Sequence, residues 1–414
     1  MELIILNLLE QIVYGLLQLN TMDNEELIYD TPSTGKGPSG FERAMGEMEA
    51  GLRGDNEGIP IPFHRLRKYL PSIQQKTYYL IGAGTKVGKT SFADDVFYYG
   101  AYDHYKNLKD ADKLDGFDLG IDYYSFEIDI VSKIIKGIGR KLWHEYGIIA
   151  DANTILSKGK NHCSSELFEL IRGYRDYFDE MEDVVTIHEI PENPTGINKH
   201  LLSVAEENGT IHKSNVSKDP MKPIIKFNRY EPKNPKKHWL IFLDHIALME
   251  EERGFTTKQN IDKMSQYFVK LRNNFNATPI VIQQMSGDVD NDSRHNSGRL
   301  TPTLRDFGDS KYTTRDANVI MALFSPFRMK MPEFQGYNIP QLGNSFRNVE
   351  ILENRNGEPG VNLGLNFIGP SGTFRELPVA AQMNEALYDE ARTMTNNQPT
   401  HMKSNGIWVP SNRI

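Results

Sequence analysis

The sequence predicts an α/β fold with a mostly parallel central sheet flanked by helices. Three observations carry that prediction. From about residue 65 to 375, short apolar runs (YYLIGA, GIDYYSF, VVTIHEI, WLIFLDH, PIVIQQM, NVIMALF, VEILEN) alternate with helical stretches, the pattern of strands joined by crossover helices. The first run leads directly into GAGTKVGKTS, residues 82–91. A later one, HWLIFLDH, has the continuous apolar character of a strand buried on both faces and ends on Asp244.

Composition sets the outer limits. Of the 414 residues, 39% are hydrophobic and 25% charged, enough to bury a large core. The net charge of -8 provides no global attraction to nucleic acid or to a membrane, so any DNA contact has to come from a local basic patch. A single cysteine, Cys163, excludes an internal disulfide framework and fits a reducing cytoplasm. No Cys/His spacing of the zinc-finger type occurs.

The segments follow in order. Residues 1–40 read as an N-terminal extension and flexible linker ending in TPSTGKGPSG. Its first twenty residues are apolar, but Glu2, Glu10 and Gln11 interrupt them, which argues against a membrane span. An amphipathic helix is one reading of 1–21; a start at Met22, which opens the polar MDNEEL, is the other. Residues 41–60 form a linker helix, with Phe41, Met45, Met48 and Leu52 on one side, closed by GDNEGIPIPF. Residues 61–375 hold the main domain, with a lysine- and proline-rich insertion near 209–237 that includes Phe227 and Tyr230. That insertion reads as a solvated connection or as an outer contact for nucleic acid or a partner. Residues 376–414 read as a polar C-terminal tail.

The stretch at 82–91 carries chemistry. Ala83 to Thr90 fits (A/G)-x4-G-K-(S/T). In that motif Gly84 and Gly88 let the backbone of Thr85, Lys86 and Val87 wrap a phosphate with its N–H groups inward. Lys89 reaches the β and γ phosphates, and the Thr90 hydroxyl ligates magnesium. Ser91 continues the helix whose positive end faces the same point. A glycine-rich turn is the plain alternative, but a preceding strand and a following helix are the context the motif requires. Asp244, at the carboxyl end of its strand, is placed to hold the magnesium. His245 follows it, where many such enzymes have an acid, so the base for water must come from elsewhere. Glu127, in YYSFEID, ends the strand after the phosphate-loop helix, on the same sheet edge. The aromatic clusters YYSF and DVFYYGAYDHY have core spacing rather than the look of a base-stacking surface.

These residues carry a resemblance. GIPIPFHRLRKYL, AGTKVGKTSF, YYSFEI, WLIFLDHIALM, PIVIQQMS, PTLRDFGDSKYTTRDANVIM and LENRNGEPG stand in the order found in the RecA-fold domain of DnaB-type replicative helicases, over about residues 41–375. The resemblance implies an ATP- and Mg2+-dependent motor, a homo-oligomer of hexamer type, that moves on single-stranded DNA and unwinds duplex, with primase and a helicase loader as partners. Glu127 resembles that family's catalytic glutamate. Gln284 resembles its γ-phosphate sensor, and Arg355 the arginine finger that reaches a neighbour's nucleotide. An arginine supplied in trans makes hydrolysis depend on assembly.

Departures from the family pattern are informative. Glu353 stands where a lysine is usual, two residues before Arg355, and is expected to orient the arginine or to weaken the site. The usual R-E-S-G of the DNA-contacting segment reads GDSK, residues 308–311. Arg305, Lys311 and Arg315 are the candidate phosphate contacts there, with a solvated basic face as the alternative. No helical primase-binding domain precedes the ATPase segment, which suggests a reduced, phage-type plan. Two other functions stay open from sequence: a RecA-type recombination or loading ATPase that does not unwind, and a non-catalytic nucleotide-dependent scaffold.

Overall fold

The computed structural model describes residues 39–215, 225–286, 300–308 and 311–395. The expectations for 1–21 and for the end of the tail lie outside the described residues. The chain divides into two compact units, one made of Met1–Met45 and Leu201–Pro235, the other of Gly46–His200 and Lys236–Ile414.

The larger unit is built on a nine-stranded sheet. Its strands are β1 (Tyr79–Ala83), β2 (Asp118–Ser125), β3 (Val185–His188), β4 (Lys237–Asp244), β5 (Ala277–Gln284), β6 (Val319–Phe324), β7 (Phe346–Asn354), β8 (Val361–Ile368) and β9 (Thr373–Glu376). Their spatial order is β9-β8-β7-β6-β1-β5-β4-β2-β3. From β6 through to β3 all neighbours are parallel, and β7, β8 and β9 extend the sheet as an antiparallel meander. Each of the seven apolar runs contributes a strand to this one sheet. The meander strands β8 and β9 were not legible: VNLGLNFI and TFRE contain asparagine, arginine and glutamate that the fold nonetheless buries.

Why the runs become strands is clear from their burial. Every residue of β1 is buried, as are all but the first of β4; a strand covered on both faces has no polar alternation to show. Behind β1 comes α1 (Lys89–Ala93), which passes through a π-type turn at Asp94–Tyr98 into Tyr99–Asp110. Helix α2 (Ile130–Tyr146) starts at Asp129, whose side chain accepts from the Ser132 amide, and ends at Gly147 with φ +66°. Helix α3 (Pro194–Asn208) follows β3, and α4 (Thr257–Phe275) opens on a capping box between Thr256 and Gln259. The aromatic clusters fill the core: Phe97, Tyr98, Tyr99, Tyr102 and Tyr123 are buried, with Tyr123 stacked on Phe242 at 4.8 Å.

Two segments differ from the sequence reading. The region near 209–237 is an antiparallel hairpin, Gly209–Asn215 against Ile225–Pro232, with the Tyr230 hydroxyl donating to the Ala205 carbonyl. The stretch after 376 does not begin as a loose tail. Helix α5 (Glu385–Thr395) buries Leu387, Tyr388, Ala391 and Met394 against Trp143, Phe346 and Ile368. The i, i+4, i+7 spacing of 387, 391 and 394 was a helical signal, diluted by the polar residues around it. Among the described residues no helix is long and apolar enough to cross a membrane.

Candidate functional site

The phosphate loop leaves the carboxyl end of β1, the central strand. Gly88 sits at φ +105° and Lys86 at +58°, so the backbone turns through left-handed conformations that favour glycine at the first position. Ala83 and Val87 are buried; Gly84, Thr85, Lys86 and Gly88 line the open side, and Lys89, Thr90 and Ser91 begin the helix. The strand–loop–helix arrangement that the motif requires is therefore present.

Asp244 ends β4 on the same edge, completely buried, with neither carboxylate oxygen hydrogen-bonded among the described residues. Burial, with Asp94 nearby, pushes its carboxyl up to about 6, against the pull of the Lys133 and Lys89 charges. A buried acceptor pair left without donors is costly unless something charged completes it. Oxygen ligands from Asp244 and Thr90 suit magnesium, a hard cation that prefers carboxylate and hydroxyl oxygen. The residues present fit that ion.

Glu127 follows the end of β2, about half exposed, with its carboxylate 3.7 Å from Lys89 Nζ. β2 pairs with β4 so that Ser125 lies opposite Asp244, which explains why Glu127 reaches the same site. His245 is partly buried, and burial together with Lys89 pushes its imidazole down, towards the neutral form. Gln284 ends β5 opposite Ala83, and its side-chain amide donates to Thr85 Oγ1 at 2.9 Å. Adjoining residues tie the same strand end to the segment after 300: Ser286 N–H donates to the Asp306 carbonyl at 2.8 Å, and the Gln283 amide donates to the Phe307 carbonyl.

Several functional candidates escaped the sequence reading. Arg347, buried on β7, donates through Nε to the Val87 carbonyl at 2.6 Å, and Arg328 donates to the Thr85 carbonyl. These two arginines, one on β7 and one in the turn after β6, brace the loop from positions distant in sequence. Beside Arg328, a cavity of about 880 Å³ is lined by Lys86, Phe327, Lys330, Met331 and Pro340. Below Asp244, Lys133 Nζ is buried 3.1 Å from Asp94 Oδ1, and the Tyr123 hydroxyl donates to the same oxygen. None of these has a local motif to announce it.

Arg355 is placed differently. It follows β7, whose Asn354 pairs with Val319, which in turn pairs with Tyr79 at the start of β1. It therefore sits at the edge of the sheet opposite the phosphate loop of its own chain. The length of β1 separates the two by roughly 15 Å. The Arg355 guanidinium donates to the Arg315 carbonyl. Among the described residues no ion pair joins it to Glu353.

The three basic candidates for DNA contact divide. Arg305 lies exposed in the turn Leu304–Phe307, and Lys311 is exposed at the start of the short helix Lys311–Asp316. Arg315, at the end of that helix beside Arg355, lies over the Tyr312 ring at 4.0 Å and pairs with Asp316.

A phosphate loop on the central strand of a largely parallel sheet, with an acid two strands away on the same sheet edge, defines a RecA-like phosphate-loop fold. Comparison with known proteins narrows the class. Residues 196–376 match the model of the DnaB-like helicase C terminal domain. The matched stretch includes Asp244, Gln284 and Arg355 but begins after the phosphate loop and Glu127. Among solved structures, the ATPase domain of G40P superposes with a TM-score of 0.57 at 17% identity, covering 82% of this chain and 99% of that one. A DnaB-like replicative helicase, described with its interactions with primase, gives 0.55 at 18% identity, covering 82% and 67%. At such identities the two structures speak for the fold. No curated protein matches the sequence.

Proposed function

We propose that this protein is a helicase of the DnaB type, a ring-forming motor that hydrolyses ATP with Mg2+ to travel along single-stranded DNA and unwind duplex. Arg355 carries the reading. It lies on the sheet edge away from its own phosphate loop, so a nucleotide site gains an arginine finger only from a neighbouring copy. A homo-oligomer, of hexamer type, meets that need with identical interfaces that close on themselves.

Within one site the roles follow from position. The loop backbone and Lys89 hold the phosphates, while Asp244 and Thr90 would hold a magnesium ion, which would supply charge neutralisation at the phosphate oxygens. Glu127, beside Lys89, accepts a proton from the attacking water. The cavity beside Lys86 and Arg328 gives the nucleoside a place. Gln284 touches the loop through Thr85, and its neighbours hold the Asp306–Phe307 turn, so nucleotide state and the segment bearing Arg305 and Lys311 share one strand end. Those two residues, with Arg315 beside the finger, supply the phosphate contacts to DNA. Primase and a loader remain the partners that the family resemblance implies.

The decisive test is a mixing experiment. Glu127→Gln subunits keep the finger and lose the base; Arg355→Ala subunits do the reverse. Each alone should lose DNA-stimulated hydrolysis, and co-assembled mixtures should regain part of it, in ring-sized particles. No recovery in mixtures that demonstrably co-assemble would overturn the shared site.

A further inference from the structure

On the outer strands of the same sheet, three side chains converge that the ATPase reading leaves unused. Asp122 and Tyr124 share one face of β2, and His188, which ends β3, pairs in register with Tyr124, so it stands on that face too. His200 reaches the same point from α3. His188 Nε2 lies 3.1 Å from Asp122 Oδ1, and His200 Nε2 lies 3.4 Å from that same oxygen. One ligand atom from each of the three falls within 4.8 Å of the others.

The spacing has chemical meaning. Ligands held tetrahedrally at about 2.0–2.1 Å from a zinc-class ion stand about 3.3–3.4 Å apart, by simple geometry. Asp122 already has the support that metal-bound carboxylates usually receive: its second oxygen accepts from Trp239 Nε1 at 2.7 Å. The Tyr124 ring stacks on His188 at 4.4 Å with a 17° interplanar angle, which fixes the imidazole plane. Asp122 and Trp239 are buried, while the His188 and His200 side chains are 21% and 41% exposed, so an ion has a path in from solvent. A simple pair of hydrogen bonds to Asp122 would use the same distances, with protons on both imidazole Nε2 atoms; metal binding uses the lone pairs there instead.

We propose that Asp122, His188 and His200 bind one divalent transition-metal ion of the zinc class, with its fourth position open to solvent. Two imidazoles and one carboxylate suit such an ion and do not suit magnesium, which asks for octahedral oxygen. The site is separate from the Thr90–Asp244 pair. Its occupancy would pin edge strand β3 and the first part of α3 onto β2, the strand that leads to Glu127.

The full chain, stripped of metal by chelation, would be titrated with Co2+ while its visible absorption is followed, then with Zn2+ in competition. The expected result is one ion per chain, displaced by zinc and not by millimolar magnesium. His200→Ala, a partly exposed position that leaves the fold intact by circular dichroism, should weaken binding at least tenfold. Trp239→Phe retains all three ligands and should weaken it about 10- to 100-fold by freeing the carboxylate. Substoichiometric binding, or cobalt affinity unchanged in a folded His200→Ala protein, would overturn the proposal and leave the cluster as an ion pair.

Discussion

Asp244→Asn offers the sharpest test of the nucleotide site, because it should remove a pH-dependent penalty on stability while removing activity. The Asp244 carboxyl moves from an ordinary 3.8 to about 6 in the folded protein. A carboxyl raised on folding contributes fully below its unfolded value, and that contribution is lost as pH rises through the folded one. Two units correspond to about 3 kcal/mol, so at pH 8 without metal the wild type carries roughly that penalty for an ionised, unpartnered carboxylate. Asparagine carries no charge to desolvate. Its amide leaves N–H groups to satisfy, at about 1–3 kcal/mol, but that cost does not change with pH. The observable is therefore the difference in stability between variant and wild type across pH in magnesium-free buffer, read by denaturant unfolding. It should shift in the variant's favour by about 2.5 kcal/mol between pH 4 and pH 8. Mg-ATP should stabilise the wild type and not the variant, and the variant should not hydrolyse ATP. A pH-independent difference would refute the electrostatic argument. Full magnesium-dependent turnover in the variant would remove Asp244 from the site.

Other expectations follow from packing and contacts. An added Cβ at Gly82 would lie 2.3 Å from Phe307 and 2.8 Å from Met285, so Gly82→Ala should destabilise by about 1–3 kcal/mol, with partial recovery in the Gly82→Ala, Phe307→Leu double variant by thermal melting. Gln284→Ala removes the contact to Thr85; basal hydrolysis should persist while stimulation by single-stranded DNA falls severalfold in a steady-state ATPase assay. His144 accepts from Arg375 at 2.9 Å through Nδ1, and burial pushes it down to about 4. Its contribution is present above pH 6.5 and lost as pH falls towards 4, by up to about 3 kcal/mol. His144→Gln should flatten the acid limb of the stability profile.

The local chemistry was legible in the sequence. Strands buried on both faces show as continuous apolar runs, and a phosphate loop needs its glycines, lysine and threonine within one short segment, so β1 to β7 and residues 83–91 could be read directly. Asp244 and Glu127 were legible because each ends such a run. Helix α5 was missed because its apolar stripe is narrow, and β8 and β9 because polar residues in them are buried by neighbours far along the chain.

What only tertiary structure decided is long-range. Arg347 and Arg328 meet the phosphate loop from about 240 to 260 residues away. Lys133 finds Asp94 across 39 residues, and His200 finds Asp122 across 78. Such pairings leave no periodic trace, because they depend on sheet order rather than on spacing. The same holds for Arg355: the antiparallel register of β7 against β6 puts it on the sheet edge away from the phosphate loop of its own chain. The sequence determined which side chains could do the chemistry. Strand order and direction determined which of them meet within one chain and which stand apart.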